Sequence, residues 1–352
     1  MSIREILGAD DFPLAARYAT FQLLGKGLVP AVNQGAASAN TGAVAISGRN
    51  WMKITGHASP YLQGNLTAFG ITPAEMKARK IYGGFRYVIQ GNAATKTADQ
   101  ILGINIIGPS LSYTLLKEDD MQRTTDEIYV KFLIDVAALS MTVWIDGTLV
   151  RTMSLGASAN TLTDIRISYG QATGAVTSEI HCYNDFYWEV DTFDLDGEQA
   201  GKIGPVKVKT VKVQGTTLPA GWTVSDGSNP DTVLDSSTMA PSTELTPVVK
   251  TSPDESVASI GFAKPTAELA IKAVSIEVFA YRDTGTAPTI EAQVKQGAQT
   301  QTKKNFSVPT LDYNRGASSN RLGCLTKDLN GVAWTNDSID ALEVLVNSKT
   351  GS

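Results

Sequence analysis

A chain of 352 residues is too long for one ordinary hydrophobic core and predicts two domains, each burying its own apolar face. Lys and Arg number 30 against 35 Asp and Glu, a net charge of -5, and no dense basic stripe is present to track a phosphate backbone, which argues against nucleic-acid binding. Charged residues make up only 18% of the chain while Gly, Ser, Thr, Ala and Asn abound, a balance that favours short strands and turns over solvated helices, so the expected class is all-β.

The first residues, MSIREILGADD, carry no apolar signal core, and no apolar run is long enough to span a bilayer. A protein made and kept in cytoplasm, without membrane insertion, is expected. Residues 1–15 mix Ile3, Ile6 and Leu7 with Asp10, Asp11 and Pro13 and read as an N-terminal arm. Such an arm docks on its own domain, docks on a neighbouring subunit, or frays.

A first domain is expected over 16–196. Strands are predicted at Ala43–Ile46, Trp51–Ile54, Ile81–Ile89, Ile101–Ile107 and Leu111–Leu116, separated by Gly, Asn, Ser and Pro clusters. One helix interrupts them after Ile71, because Thr72 can cap it, Pro73 suits its first turn and Glu75 can reach back to the cap. The hairpin from Tyr129 to Met153 is the most legible feature: Ile128, Val130, Phe132 and Ile134 share a face, Met141, Val143 and Ile145 alternate again, and Asp146-Gly147 signals a type I′ turn. Asp164–Tyr169 and Glu179–Asp191 supply further strands of one antiparallel sandwich.

A glycine-rich polar joint follows, with the linker at 197–204, and a second, smaller sandwich is expected over 205–352. It opens on the alternation of Val206, Val208, Val211 and Val213. Thr223–Lys264 has apolar residues too sparse for a buried helix and predicts loops and edge strands, after which strands resume at Ile271–Tyr281, Ile290–Val294, Lys304–Val308 and Leu342–Val346.

The run from Tyr129 to Val150, with its Trp144-x-Asp146-Gly147 hairpin, resembles the strand pair of concanavalin A-like (lectin/glucanase, laminin-G-like) jelly rolls found in virion structural proteins of tailed bacteriophages. The same layout is echoed by Phe186–Asp191 leading through Asp194–Gly197 into Ile203–Val208, by the Gly221-Trp222-Thr223 turn, and by the closing segment Trp334–Val344. The resemblance spans most of residues 80–350, whereas the first fifty residues match no family. It implies a jelly-roll fold in the first domain and a non-enzymatic component of a tail, baseplate or head surface. Its implied partners are other virion proteins and further copies of the chain.

Glu189-Val-Asp191-Thr-Phe-Asp194 is the sharpest enzymatic suggestion, since period-two spacing puts Glu189 and Asp191 on one face of a strand. It resembles the Glu-x-Asp-x-x-Glu strand of laminarinase-like glycoside hydrolases, which implies Glu189 as nucleophile, Asp191 as its supporting carboxylate and Asp194 as acid/base. Retaining chemistry sets its two carboxyls about 5 Å apart, and Asp194 is one methylene short of that family's Glu. The bland reading, a strand running into an acidic turn, is favoured, and no enzyme is expected. Asp191, Asp194, Asp196 and Glu198 also offer oxygen ligands for Ca²⁺, but the spacing is not that of an EF-hand loop, and no metal or cofactor is expected.

His57 and His181 are the only histidines, no Gly-x-Ser-x-Gly elbow is present, and Cys182 and Cys324 are expected as two separate packed thiols. Tyr82, Phe85, Tyr87, Phe186, Tyr187 and Trp188 offer aromatic rings on which a sugar could stack, although strand alternation sends half of them into the core. Trp144 and Asp146 read as packing and turn residues. The leading expectation is a virion structural protein acting through protein–protein contacts; the alternatives are a tail protein that recognises a host surface glycan and, last, a glycoside hydrolase.

Overall fold

A computed structural model describes residues 3–7, 28–31, 40–55, 61–65, 72–90, 100–108, 111–112, 127–156, 164–171, 180–190, 207–235, 249–251, 256–267, 270–278, 288–307 and 320–349. The chain divides into two compact units, Met1–Val208 and Lys209–Ser352. The division falls just beyond the 197–204 segment, which lies outside the described residues. Both units are all-β, of antiparallel β-sandwich class, as composition and strand alternation led us to expect.

Unit 1 contains, in chain order, β1 (Ile3–Leu7), β2 (Leu28–Ala31), β3 (Asn40–Ile46), β4 (Arg49–Thr55), β5 (Tyr61–Asn65), helix α1 (Pro73–Ala78), β6 (Lys80–Gln90), β7 (Gln100–Gly108), β8 (Leu111–Ser112), β9 (Ile128–Asp135), β10 (Ser140–Ile145), β11 (Thr148–Ser154), β12 (Asp164–Gln171) and β13 (Ile180–Val190). An eight-stranded sheet runs β11-β10-β9-β6-β13-β4-β3, with β1 added beside β13; a five-stranded sheet runs β2-β5-β12-β7-β8. Residues 3–7 of the segment read as an arm are thus a strand of this unit's own sheet, pairing Ile3 with Glu189 and Leu7 with Phe186. The expected Leu111–Leu116 strand is seen only as Leu111–Ser112, and its remainder lies outside the described residues.

Local chemistry explains the punctuation. Thr72 and Glu75 form a reciprocal capping box with Pro73 in the first turn of α1, which satisfies the otherwise orphaned N–H groups there. Asp146 and Gly147 take φ of 47° and 81°, the left-handed pair that a type I′ turn requires. The Asp146 side chain also accepts a 2.8 Å bond from the Tyr129 N–H, tying the hairpin tip to β9.

One face of the eight-stranded sheet is a continuous apolar surface. Ile81, Phe85, Val130, Phe132, Ile134, Met141, Val143, Tyr183, Phe186, Trp188 and Val190 are buried on it, and Phe186 stacks between Phe85 (5.7 Å) and Trp188 (5.8 Å). Truncating one such ring costs about 3–5 kcal/mol through lost transfer energy and the cavity left behind. Gly83 belongs to the same packing, because a Cβ there would run into the Phe132 ring.

Unit 2 contains β14 (Trp222–Val224), α2 (Pro230–Asp235), β15 (Val249–Thr251), β16 (Ala258–Gly261), β17 (Val274–Val278), β18 (Thr289–Gln296), β19 (Gln299–Thr300), β20 (Lys304–Ser307), β21 (Asn320–Leu325), α3 (Asn336–Asp340) and β22 (Leu342–Lys349). A five-stranded sheet runs β16-β22-β18-β19 with β20 on β18, beside the two-stranded pairs β14-β15 and β17-β21. Its core gathers Ile276, Ile290, Val294, Leu322, Trp334, Ile339, Leu342 and Val344.

Two expectations for this unit are corrected. Val208, Val211 and Val213 form no regular strand; only isolated bridges join Val213 to Phe262 and Thr217 to Ser259. The ladder breaks because Gly215 takes a φ of 82° and the N–H groups of Gly215 and Thr216 turn to the Asp231 carboxylate, at 2.9 and 2.8 Å. The segment read as loops and edge strands also contains α2, where Pro230 begins the helix and the Asn229 side chain accepts the Asp231 N–H at 2.9 Å. One buried residue, Val233, suffices to anchor so short a helix.

Candidate functional site

The opposite face of the eight-stranded sheet in unit 1 carries the polar and charged side chains. Register places Trp144, Lys131, Gly84 and Tyr187 in one row across β10, β9, β6 and β13, and Leu133, Tyr82 and Glu189 in the next. Because side chains alternate along each strand, all of these stand on the face opposite Phe132 and Trp188. Gly84 provides the space: a Cβ there would lie 2.5 Å from the Tyr187 ring and 2.6 Å from the Tyr129 hydroxyl.

Lys131 sits at the middle of this strip. Its ammonium lies 5.9 Å from the centroid of the Tyr82 ring and 5.8 Å from that of Trp144, so both rings meet the cation with their negative faces. Tyr82, Lys131 and Trp144 are half-buried, whereas Glu189 is 2% exposed and Tyr187 1%. Burial lowers the pKa of Lys131 and the nearby Glu189 carboxylate partly restores it. Burial raises the pKa of the Tyr187 phenol, helped by the adjoining Tyr129, Glu189 and Tyr82. The strip therefore presents two aromatic rings around a cation, above a buried carboxylate.

A buried ion cluster lies further along the same face. A β-bulge in β13 puts Asp185 at φ 53°, and its wholly buried carboxylate meets Arg49 at 2.7 and 2.9 Å, Arg86 Nε at 3.0 Å and the Val208 N–H at 2.8 Å. Arg86 also pairs with Glu127 and lies 5.7 Å from the Tyr129 centroid. The guanidinium network thus fixes Tyr129 beside the strip. Beyond it, Trp51, Val88 and Cys182 form an apolar cluster in which burial pushes the Cys182 thiol up to about 12.

Of the sequence candidates, Glu189 is placed here, beside Lys131. Asp191, Asp194, Asp196 and Glu198 lie outside the described residues. Among the described residues no group of three or more His, Cys, Asp or Glu side chains could hold a metal ion, and no helix is long and apolar enough to cross a membrane. Of the six aromatics considered for stacking, Phe85, Tyr87, Phe186, Tyr187 and Trp188 are fully buried and Tyr82 alone reaches solvent. Trp144, expected as a packing residue, stands half-exposed on the polar face. No sequence motif marks Lys131, although its opposition to Trp144 follows once the Val136–Leu139 turn sets the β9–β10 register.

No protein-family model and no curated protein matches the sequence. Among solved structures, a carbohydrate esterase from the Shiga toxin-encoding bacteriophage phi24B is 13% identical, with 54% of this chain and 99% of that one covered at a TM-score of 0.38. The N-terminal tandem CBM22 domain of Paenibacillus barcinonensis Xyn10C is 11% identical over 99% of this chain and 98% of that one, at a TM-score of 0.31. The binding domain of botulinum neurotoxin DC, solved in complex with SialylT, is 13% identical over 46% of this chain and 40% of that one, at a TM-score of 0.24. Likenesses this slight carry no argument about function. The functional reading therefore rests on the side chains.

Proposed function

We propose that the protein is a non-enzymatic glycan-recognising component of a tailed-phage particle, and that Tyr82, Lys131 and Trp144, backed by the buried Glu189, contact the sugar. The observation that carries this reading is the pair of half-exposed rings, Tyr82 and Trp144, held on either side of the Lys131 ammonium. Sugars present apolar C–H faces that stack on aromatic rings and hydroxyls that need directed polar partners, and the strip offers both on rigid central strands. Side chains already fixed by packing lose little entropy when a ligand arrives.

The virion setting comes from the sequence resemblance, with assembly in host cytoplasm and with other particle proteins and copies of the chain as partners. Burial of Glu189 against a lysine supports an electrostatic role for that carboxylate over nucleophilic attack. The test is a glycan array probed with the full chain, followed by titration of any hit against W144A and Y82A. Loss of an aromatic anchor should weaken binding about tenfold or more at unchanged thermal stability. An array blank for wild type, or full binding by both variants, refutes the reading. Absence of the protein from purified particles refutes the virion setting alone.

A further inference from the structure

We propose that unit 2 carries a second, independent binding site, a cleft beside β16 that takes a neutral saccharide. The cleft has a volume of about 410 Å³ and lies among the Gln214–Thr217 segment, β16, Phe262 and the junction of α3 with β22. That size falls within the range of ligand sites, about 300–1,000 Å³.

The hydrogen-bonding inventory of its walls limits what it can hold. The backbone is already committed: Gln214 donates to the Gly261 carbonyl at 3.0 Å, and Thr217 and Ser259 exchange bonds of 2.8 and 3.1 Å. Gly261 permits that closeness, since a Cβ there would lie 2.6 Å from the Gln214 carbonyl oxygen. Glu343 is committed as well, accepting from the Ser259 hydroxyl at 2.8 Å and from Lys295 at 3.2 Å. In contrast, the Gln214 amide, the Thr217 hydroxyl and the Asp340 carboxylate make no side-chain hydrogen bond with other described residues. These three residues line the cleft together with Phe262, which is half-buried against the core, and between them they carry one amide, one hydroxyl, one carboxylate and one aromatic ring.

An anion would meet the Asp340 carboxylate, while the lysines nearby are already engaged, Lys295 by Glu343 and Lys264 by Asp337 first and Asp340 second. A simple amine would meet that one carboxylate and leave the amide, hydroxyl and ring unused. A neutral sugar can use all four, its hydroxyls as donors to the carboxylate and as donors and acceptors to the amide and Thr217, and its C–H face against the ring.

The test is ligand-observed NMR on the full chain with D-glucose, D-galactose, D-xylose and N-acetylglucosamine, with D-glucuronate and D-galacturonate as acidic counterparts and methylamine as the amine. Wild type, W144A, D340A and Q214A are compared. The expected result is a neutral sugar that binds wild type and W144A alike and weakens about tenfold in D340A and Q214A, with the uronates excluded. The cleft is refuted if no neutral sugar binds, if methylamine or a uronate is preferred, or if D340A and Q214A bind as wild type does. Loss in W144A with retention in D340A and Q214A removes the cleft and keeps the unit 1 reading, whereas the expected result establishes the cleft and leaves the unit 1 reading to the glycan-array test with W144A and Y82A.

Discussion

Asp185 gives the sharpest test of how the binding face is held. Its carboxylate is fully buried and receives four donors, two from Arg49 and one each from Arg86 and Val208, while Arg49 and Arg86 are 14% and 22% exposed. Replacing it with Ala strands two largely buried cations, a loss of about 3–5 kcal/mol when one partner of a buried pair is removed. The low end applies, because both guanidiniums keep some water and Arg86 keeps Glu127. Position 185 also sits at φ 53°, a left-handed conformation that Asp tolerates better than Ala, by about 1 kcal/mol. The sum for D185A is about 4 kcal/mol. In a unit of this size that lowers the melting temperature by about 8–16 °C. D185N keeps the backbone preference but turns an amide donor toward Arg86 or Arg49, and should fall between the two. The assay is thermal unfolding by circular dichroism, with hydrogen exchange on β13 amides to assign the unit 1 transition. A D185A protein within about 1 kcal/mol of wild type would show that the cluster is not what holds the bulge.

Other consequences follow from the same geometry. G84V should displace Tyr187 and Tyr129, destabilise unit 1 by about 2 kcal/mol or more and abolish binding at the strip, checked by denaturant titration and by the glycan assay. In unit 2, burial raises the Asp328 carboxyl, but bonds from Gln296, Val332 and Asn330 outweigh it and hold it low; Ser259 above all, with Lys295, does so for Glu343. Folded pKa values below the unfolded ones, about 4, mean that this stability is present at neutral pH and disappears as pH falls through the folded values. Unit 2 should therefore weaken below about pH 4, and the slope of that loss should flatten in D328N, read by melting temperature against pH; an unchanged slope would count against the assignment. Cys182, buried and with its thiol at about 12, should stay unlabelled by a thiol reagent in the native state, while half-buried Cys324 reacts first; mass spectrometry after brief labelling decides.

The strands of unit 1 were legible because alternation, capping and turn chemistry all agree there. Thr72-Pro73 and Asp146-Gly147 are locally sufficient: each satisfies or frees its own backbone within a few residues. The candidate site was not legible in the same way. Lys131 and Trp144 become neighbours only through register, and Tyr82 and Glu189 join them from strands far away in sequence. Asp185 reads as one more residue of an aromatic strand, and nothing local announces the bulge that turns it toward two arginines. The opening of unit 2 misled for a related reason. Its valines have strand character, but the Gly215 turn and Asp231, a residue sixteen positions on, take the N–H groups that a ladder would need.

The physical case for recognition over scaffolding turns on what unit 1 leaves outside. Among the described residues of unit 1 the large apolar side chain left most exposed is Leu149, on the edge strand β11. Lateral association would then run through strand edges such as β11, where main-chain bonds supply affinity and side chains little discrimination. The Lys131 strip is built otherwise. Leaving a lysine half-buried costs desolvation, as its lowered pKa records, and Glu189, Tyr82 and Trp144 are arranged to offset that cost. A purely structural sheet would spare the expense by placing Leu or Thr at position 131, as its neighbours Leu133 and Thr142 do on the same face. K131M takes away the cation beside the buried Glu189 carboxylate and should destabilise unit 1, whereas K131M/E189Q should recover much of that stability and still weaken sugar binding, a separation that a packing role for Lys131 does not produce.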